Sequence, residues 1–281
     1  EKGALPYEVA ISIGIKVAKA LECAHKSGII HRGVVKMRVI ALVNQKGGVG
    51  KTTLSINMAA ILADLGYKVL LIDNDSQSNV TNTFLTEEPS KTLYNVMLRD
   101  IDLKEVIQNT GIKNLDIAVN SLESSDLNLL LGPKVAREMK LKNAIVKSKI
   151  DYDFVFIDCN PSLDLSMINA LVAANEVIIP IDSSAYSLTG LNNLIKFIND
   201  VKVLNSSLEI NGFVLNNVDR RTALYKEVAD VINQYYPEKL FKQQIGQNVI
   251  FNKMQFKKET IINHKDNKAY EELVKLISEV I

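Results

Sequence analysis

From residue 37 onward the apolar positions follow two alternating rhythms. Short runs that are apolar throughout, rich in valine and isoleucine, are separated by stretches in which apolar residues return every three or four positions. The runs at 38–43, 69–73, 154–158, 176–181 and 210–216 predict strands, with one more near Leu115–Val119. Because they lack polar alternation, they predict parallel strands covered on both faces. Leu54, Met58, Ile61, Leu62 and Leu65 mark one face of a helix that Gly66 can stop. Further helices are expected at about 164–174, along Leu191, Leu194, Ile195, Ile198 and Val201, and from Thr222 to about Tyr235. The last helix carries Tyr270, Leu273, Val274, Ile277 and Val280 on one side. Residues 80–150 are less regular and predict mostly helix. The expected fold class is α/β: one doubly wound, mostly parallel sheet with helices on both faces, spanning 37–281.

Residues 1–36 have a different character. Val9, Ile13, Val17, Leu21 and Ala24 form a helical stripe between Pro6 and Gly28, running into Ile29-Ile30-His31-Arg32-Gly33. This piece resembles the helix and catalytic-loop entry of a protein kinase, with Gly33 where that family has its aspartate. Within the 281 residues no nucleotide-binding glycine loop precedes it and no D-F-G triplet follows, so kinase chemistry is not expected. Met37-Arg38-Val39-Ile40 opens directly into the first strand. The expectation is therefore that the natural start is Met37 and that 1–36 is a fused or misassigned upstream extension; a docking helix is the alternative.

Composition narrows the function classes. The 281 residues are 47% hydrophobic and 23% charged, ordinary for a globular protein, and the formal net charge of +1 leaves nucleic-acid binding to a local patch. Cys23 and Cys159 have no metal-site spacing, and with a phosphate loop in the chain they predict a reducing, cytoplasmic setting. No apolar run approaches the ~18 residues of a membrane span, and no signal peptide is visible.

The chemistry concentrates at Asn44–Thr53, which reads Asn-Gln-Lys-Gly-Gly-Val-Gly-Lys-Thr-Thr between a strand and a helix. Glycines 47, 48 and 50 let successive backbone N–H groups turn inward, and the following helix adds its positive end, so the loop predicts a phosphate cradle. Lys51 is placed to reach β- and γ-phosphates and Thr52 to hold Mg²⁺. The usual G-x-x-x-x-G-K-[ST] pattern has glycine where this chain has Gln45, followed by a second lysine, Lys46. Two other strands end in acid, at Asp73-Asn74-Asp75 and at Asp158. Acids at strand ends beside a phosphate loop suit metal or water positioning.

The deviant loop Lys46-Gly47-Gly48-Val49-Gly50-Lys51-Thr52-Thr53 resembles that of the ParA/MinD family of P-loop ATPases, and over 37–281 the chain is similar to short, Soj-like ParA partition ATPases. That resemblance implies ATP and Mg²⁺ as cofactors, with hydrolysis of ATP to ADP and phosphate. It implies that Asp75 orients or activates the attacking water, that Asp158 supports Mg²⁺, and that Asn216 recognises adenine. Lys46 is implied to cross to the partner's phosphates in an ATP-bound homodimer. A second implied activity is non-specific, ATP-dependent binding of double-stranded DNA, with Arg220 and Arg221 as candidates. Residues 238–268 add seven lysines against three acids. A ParB-type centromere-binding partner and a nucleoid-associated location are implied, without membrane attachment. The chain departs from the family at Ser76 and Asn160, where prolines are usual, and at Gly246-Gln247-Asn248-Val249-Ile250, which lacks both arginines of the usual Pro-Arg-Asn-Val-Arg. The alternative is a MinD-like positioning ATPase at a membrane, but the last helix pairs Glu271, Glu272 and Glu279 with only Lys268 and Lys275, unlike a basic membrane helix. An electron carrier of the nitrogenase-reductase type would need cluster-ligating cysteines, which Cys159 alone does not supply. A nucleotide-binding module without hydrolysis is the third class.

Overall fold

A computed structural model describes residues 37–184 and 186–281. The proposed 1–36 extension lies outside the described residues. The strands are β1 (Arg38–Leu42), β2 (Val69–Asn74), β3 (Ile107–Asn109), β4 (Leu115–Ala118), β5 (Phe154–Cys159), β6 (Glu176–Ile181), β7 (Glu209–Val218) and β8 (Ile245–Gly246). The α-helices are α1 (Lys51–Asp64), α2 (Asn79–Phe84), α3 (Leu93–Arg99), α4 (Leu127–Leu131), α5 (Lys140–Ser148), α6 (Leu165–Ala173), α7 (Tyr186–Val201), α8 (Ala223–Tyr235), α9 (Ile250–Lys257) and α10 (Lys268–Val280). The strands form one sheet in the order β3-β4-β2-β5-β1-β6-β7-β8. Every pairing is parallel except β3 with β4.

Topology fixes where a ligand can bind. The chain leaves β1 through α1 towards β2, but leaves β5 through α6 in the opposite direction, past β1 to β6. Right-handed crossovers then put α1 and α6 on opposite faces, and both lie over β1, β2 and β5. Strand order reverses at β1, so the crevice opens beyond its carboxyl end. Parallel pairing brings the ends of β2, β5, β6 and β7 to the same edge. In register, Leu42 stands beside Asp158 and Asp73 beside Asp158 on the other side.

Most predicted elements are present within a residue or two. The α1 stripe, however, is wider than one face. Ser55, Ile56, Asn57, Ala59 and Ala60 are buried as well, because the C-terminal segment, including α10 and the turn Ile261–His264, covers the helix from outside. Asn57 answers that burial by accepting a hydrogen bond from Ile261 N at 2.7 Å. Residues 80–150 contain α2 to α5, as expected of mostly helix, plus β3, whose residues Gln108 and Asn109 are exposed at the sheet edge.

The outer half is pinned at both ends. Arg38 donates two bonds to Glu176 (2.8 and 2.7 Å) and one to the Val280 carbonyl (2.8 Å), joining β1, β6 and α10. Burial pushes the Glu176 carboxyl up, but the bonds from Arg38 and Asn211 outweigh it and leave its pKa below the ordinary value. The β6–β7 register shifts between Val177 and Ile178, leaving Asn211 as the extra residue of a bulge. Gly212 follows, and a Cβ there would stand 2.6 Å from Phe241 Cζ and 2.8 Å from the Lys239 carbonyl. Gly212→Ala is expected to destabilise the protein by about 1–3 kcal/mol through forced overpacking against backbone, read as a lowered urea midpoint with unchanged slope.

Candidate functional site

The loop after β1 is shaped by two left-handed glycines, Gly48 (φ 77°) and Gly50 (φ 89°). Gly50 immediately precedes α1, whose first turn contains no acid to neutralise its positive end. Asn216, 5% exposed at the end of β7, donates to the Val49 carbonyl at 2.7 Å. A Cβ on Gly50 would lie 2.2 Å from Asn216 Nδ2. β7 delivers this side chain through a kink: Asn217 takes a left-handed φ of 55°, which asparagine tolerates, and the β7–β8 register slips there. The loop is thus clamped from the far strand.

Below the loop lies a cleft of about 870 Å³. Gly47, Gly48, Gly50, Lys51, Thr52, Thr53, Asp75 and Asn216 all line it. Its outer wall, which the sequence reading missed, comes from 247–259, with Asn248, Phe251 and Lys258 among its residues. Lys51 is buried and donates to the carbonyls of Asn44 (3.1 Å) and Lys46 (3.2 Å). Burial holds its pKa below the ordinary lysine value, against the opposing pull of Asp158, Cys159 and Asp75.

The three strand-end acids have distinct surroundings. Asp158 accepts from Thr52 Oγ1 at 2.7 Å and from Ser55 Oγ at 3.1 Å, and burial pushes its carboxyl up to about 7. Ser55 was not anticipated, although its position one turn after Thr52 was the available signal. Asp73 is fully buried and turned to Thr81, accepting from its amide (2.8 Å) and hydroxyl (2.7 Å); burial raises its pKa to about 6. Asp75 alone of the pair lines the cleft, with one oxygen accepting from Gln77 N at 3.0 Å. Among the described residues no group of three or more His, Cys, Asp or Glu side chains is placed to hold a metal alone. A hydroxyl and a carboxylate, Thr52 and Asp158, do suit a hard cation that takes its remaining oxygens from phosphate and water.

Lys46 is placed differently from Lys51. It does not line the cleft; its ammonium pairs with Asp182 and donates to Ser184 Oγ, both just beyond β6. The run into Asp182 has the same apolar-strand-then-acid pattern as those ending in Asp73 and Asp158, a signal present in the sequence. Arg220 and Arg221 lie outside the cleft lining. Arg220 donates to the Gln244 carbonyl (2.7 Å) and Glu272 (3.0 Å), while the exposed Arg221 forks onto Asp219 (2.9 and 2.7 Å) and lowers that carboxyl to about 2.

Gly50→Ala is expected to impose about 1–3 kcal/mol of backbone strain besides the Asn216 clash. Roughly a ten- to hundredfold loss of ATP affinity should follow in a fluorescent-nucleotide titration.

Comparisons with known proteins agree on the family and the fold. The family described as AAA domain matches residues 37–210. The sporulation initiation inhibitor protein Soj of Bacillus subtilis is 39% identical over 215 residues, covering 75% of this chain and 85% of Soj. A putative plasmid partition protein from Borrelia burgdorferi, solved bound to AMPPNP, superposes with a TM-score of 0.75 at 25% identity, over 88% of this chain and all of that one. Cobyrinic acid a,c-diamide synthase from Mycobacterium smegmatis, solved with ADP and magnesium, gives 0.71 at 27% identity, over 82% of this chain and 96% of that one. With its glycine cradle, its second lysine and these relatives, the chain belongs to the ParA/MinD family of P-loop ATPases.

Proposed function

We propose that this ATPase, with ATP and Mg²⁺ as its cofactors, drives DNA partition by an ATP-dependent cycle of dimerisation. The observation that carries this reading is the divergence of the loop's two lysines. Lys51 is folded within its own cradle, where it meets β- and γ-phosphates, whereas Lys46 stands outside its own cleft. A cation that does not serve its own nucleotide is available to a neighbour's, so two copies clasp two triphosphates between them. Thr52 and Asp158 hold Mg²⁺, Asp75 orients the attacking water, and Asn216 contacts adenine from the strand that clamps the loop. Each role rests on the family resemblance together with position: Thr52, Asp75 and Asn216 line the cleft, and Asp158 lies directly behind Thr52.

Mg²⁺, when bound, draws charge from the phosphates. The protein's own groups do the rest: the turn's amides fix the phosphates, Asp75 aligns a water, and burial strengthens each contact. The ATP-bound dimer binds double-stranded DNA without sequence preference, and a ParB-type protein stimulates hydrolysis and so release. The exposed Arg221, Arg220 and the lysine-rich segment 238–268 supply the phosphate contacts, and the protein acts on the nucleoid. The Arg221–Asp219 pair is at the surface, so a phosphate can displace it, whereas Arg220 stays anchored on the buried Glu272 with part of its guanidinium exposed. A membrane-positioning role is less well supported, because α10 buries Ala269, Leu273, Leu276, Ile277 and Val280 in the body of the protein. Among the described residues no helix is long and apolar enough to cross a membrane.

Lys46→Ala and Lys51→Ala are each expected to abolish dimerisation in sedimentation with Mg²⁺ and a non-hydrolysed ATP analogue; a Lys46→Ala protein that dimerises normally refutes the trans role. DNA retention is expected with ATP and not with ADP or without nucleotide. If about four phosphate contacts form, affinity should fall on the order of a hundredfold between roughly 50 and 200 mM salt. Liposome binding with ATP, in the absence of DNA binding, would reverse the assignment.

A further inference from the structure

We infer that Asp182 is a positioning residue that holds Lys46 in its own subunit and thereby opposes association until a triphosphate draws the lysine away. The inference rests on the proposed trans role of Lys46 and adds to it a restraint acting in cis.

The restraint is built from several contacts. One Asp182 oxygen pairs with the Lys46 ammonium, which also donates to Ser184 Oγ. The other oxygen accepts from the Ser184 hydroxyl (3.0 Å) and amide (3.4 Å), so lysine, carboxylate and serine form a closed ring. The base of the loop is tied to the same strand end. Asn44 donates to the Pro180 carbonyl at 2.7 Å and accepts from Lys46 N at 2.9 Å. Gln45 packs near Gly190 of α7, its Oε1 3.9 Å from where a Cβ on that glycine would stand. β6 therefore presents a carboxylate to the lysine at the exit from β1.

The ammonium cannot sit in this ring and on another copy's phosphates at the same time. To reach another copy's phosphates, Lys46 must leave Asp182, so pairing in cis and bridging in trans compete. A γ-phosphate carries more charge than one carboxylate and offers several acceptor oxygens, so a triphosphate wins the lysine. A diphosphate lacks that group and returns the lysine to Asp182. The side chains are 33% and 23% exposed, so the pair is neither fully screened nor deeply buried. A partly exposed ion pair of this kind biases the free lysine about two- to fivefold. A twofold-symmetric dimer opens two such pairs, so the bias on association is about four- to twenty-fivefold.

The test uses the full chain with Mg²⁺ and a non-hydrolysed ATP analogue, in sedimentation across a protein dilution series. Asp182→Asn keeps the shape and removes the charge. It is expected to lower the dimer dissociation constant about four- to twenty-fivefold, and Asp182→Glu to restore the wild-type value. Fluorescent-nucleotide titration below the dimerisation range reads the monomer site separately, and thermal unfolding checks the fold. Asp182→Asn dimerising no more tightly than wild type, while Lys46→Ala fails to dimerise, would overturn the restraint and leave the trans role standing. Lys46→Ala dimerising like wild type would remove both. Weaker monomer affinity in Asp182→Asn would place Asp182 in the nucleotide site and overturn the assignment as well.

Discussion

The interaction on which the site depends is the one between Asp158 and the first turn of α1. A carboxylate at the end of a central parallel strand is out of water and costly to ionise unless donors surround it. Thr52 and Ser55 supply them from the helix that the phosphate loop launches. The pairing fixes the rotation and height of α1 over β5, and with it the direction of the N–H groups lining the cradle. A second constraint acts from the opposite side, where Asn216 grips the Val49 carbonyl. Between them the loop keeps its curled form although its glycines would permit many others.

The sheet was readable in the sequence because its central strands are buried on both faces. Val69–Ile72, Val155–Ile157 and Val177–Ile181 have no polar side chain to blur the run, and each is fully covered. β3 escaped notice for the opposite reason: three residues long and two of them polar, it exists because Ile107 to Asn109 find an open edge on β4. The breadth of α1 burial was hidden too, since the segment that covers it comes some 200 positions later, as the bond between Asn57 and Ile261 records (|i−j| = 204).

The site was legible where chemistry is local in sequence. The loop, Thr52 and the strand-end acids announce themselves by spacing, and the structure brings Lys51, Thr52, Asp75 and Asn216 to one cleft, with Asp158 buried behind Thr52. What the sequence could not assign was direction. Nothing in Asp73-Asn74-Asp75 says that the first acid turns back to Thr81 and the second faces the cleft. Nor does the loop say that its lysines part company, one inward and one to Asp182. Those outcomes depend on neighbours that arrive from other strands.

The match to the AAA domain family ends at residue 210, whereas much of the cleft's outer wall lies beyond it. That wall is held from behind by the chain's last helix. Glu279 accepts from the amides of Lys242 and Gln243 at 2.7 Å each, and Glu272 from Gly246 N at 2.9 Å. These two glutamates act as guy-lines on the strand that leads into 247–259. The rim over the nucleotide is therefore tensioned from the carboxyl terminus, by side chains that never face the cleft they help to shape.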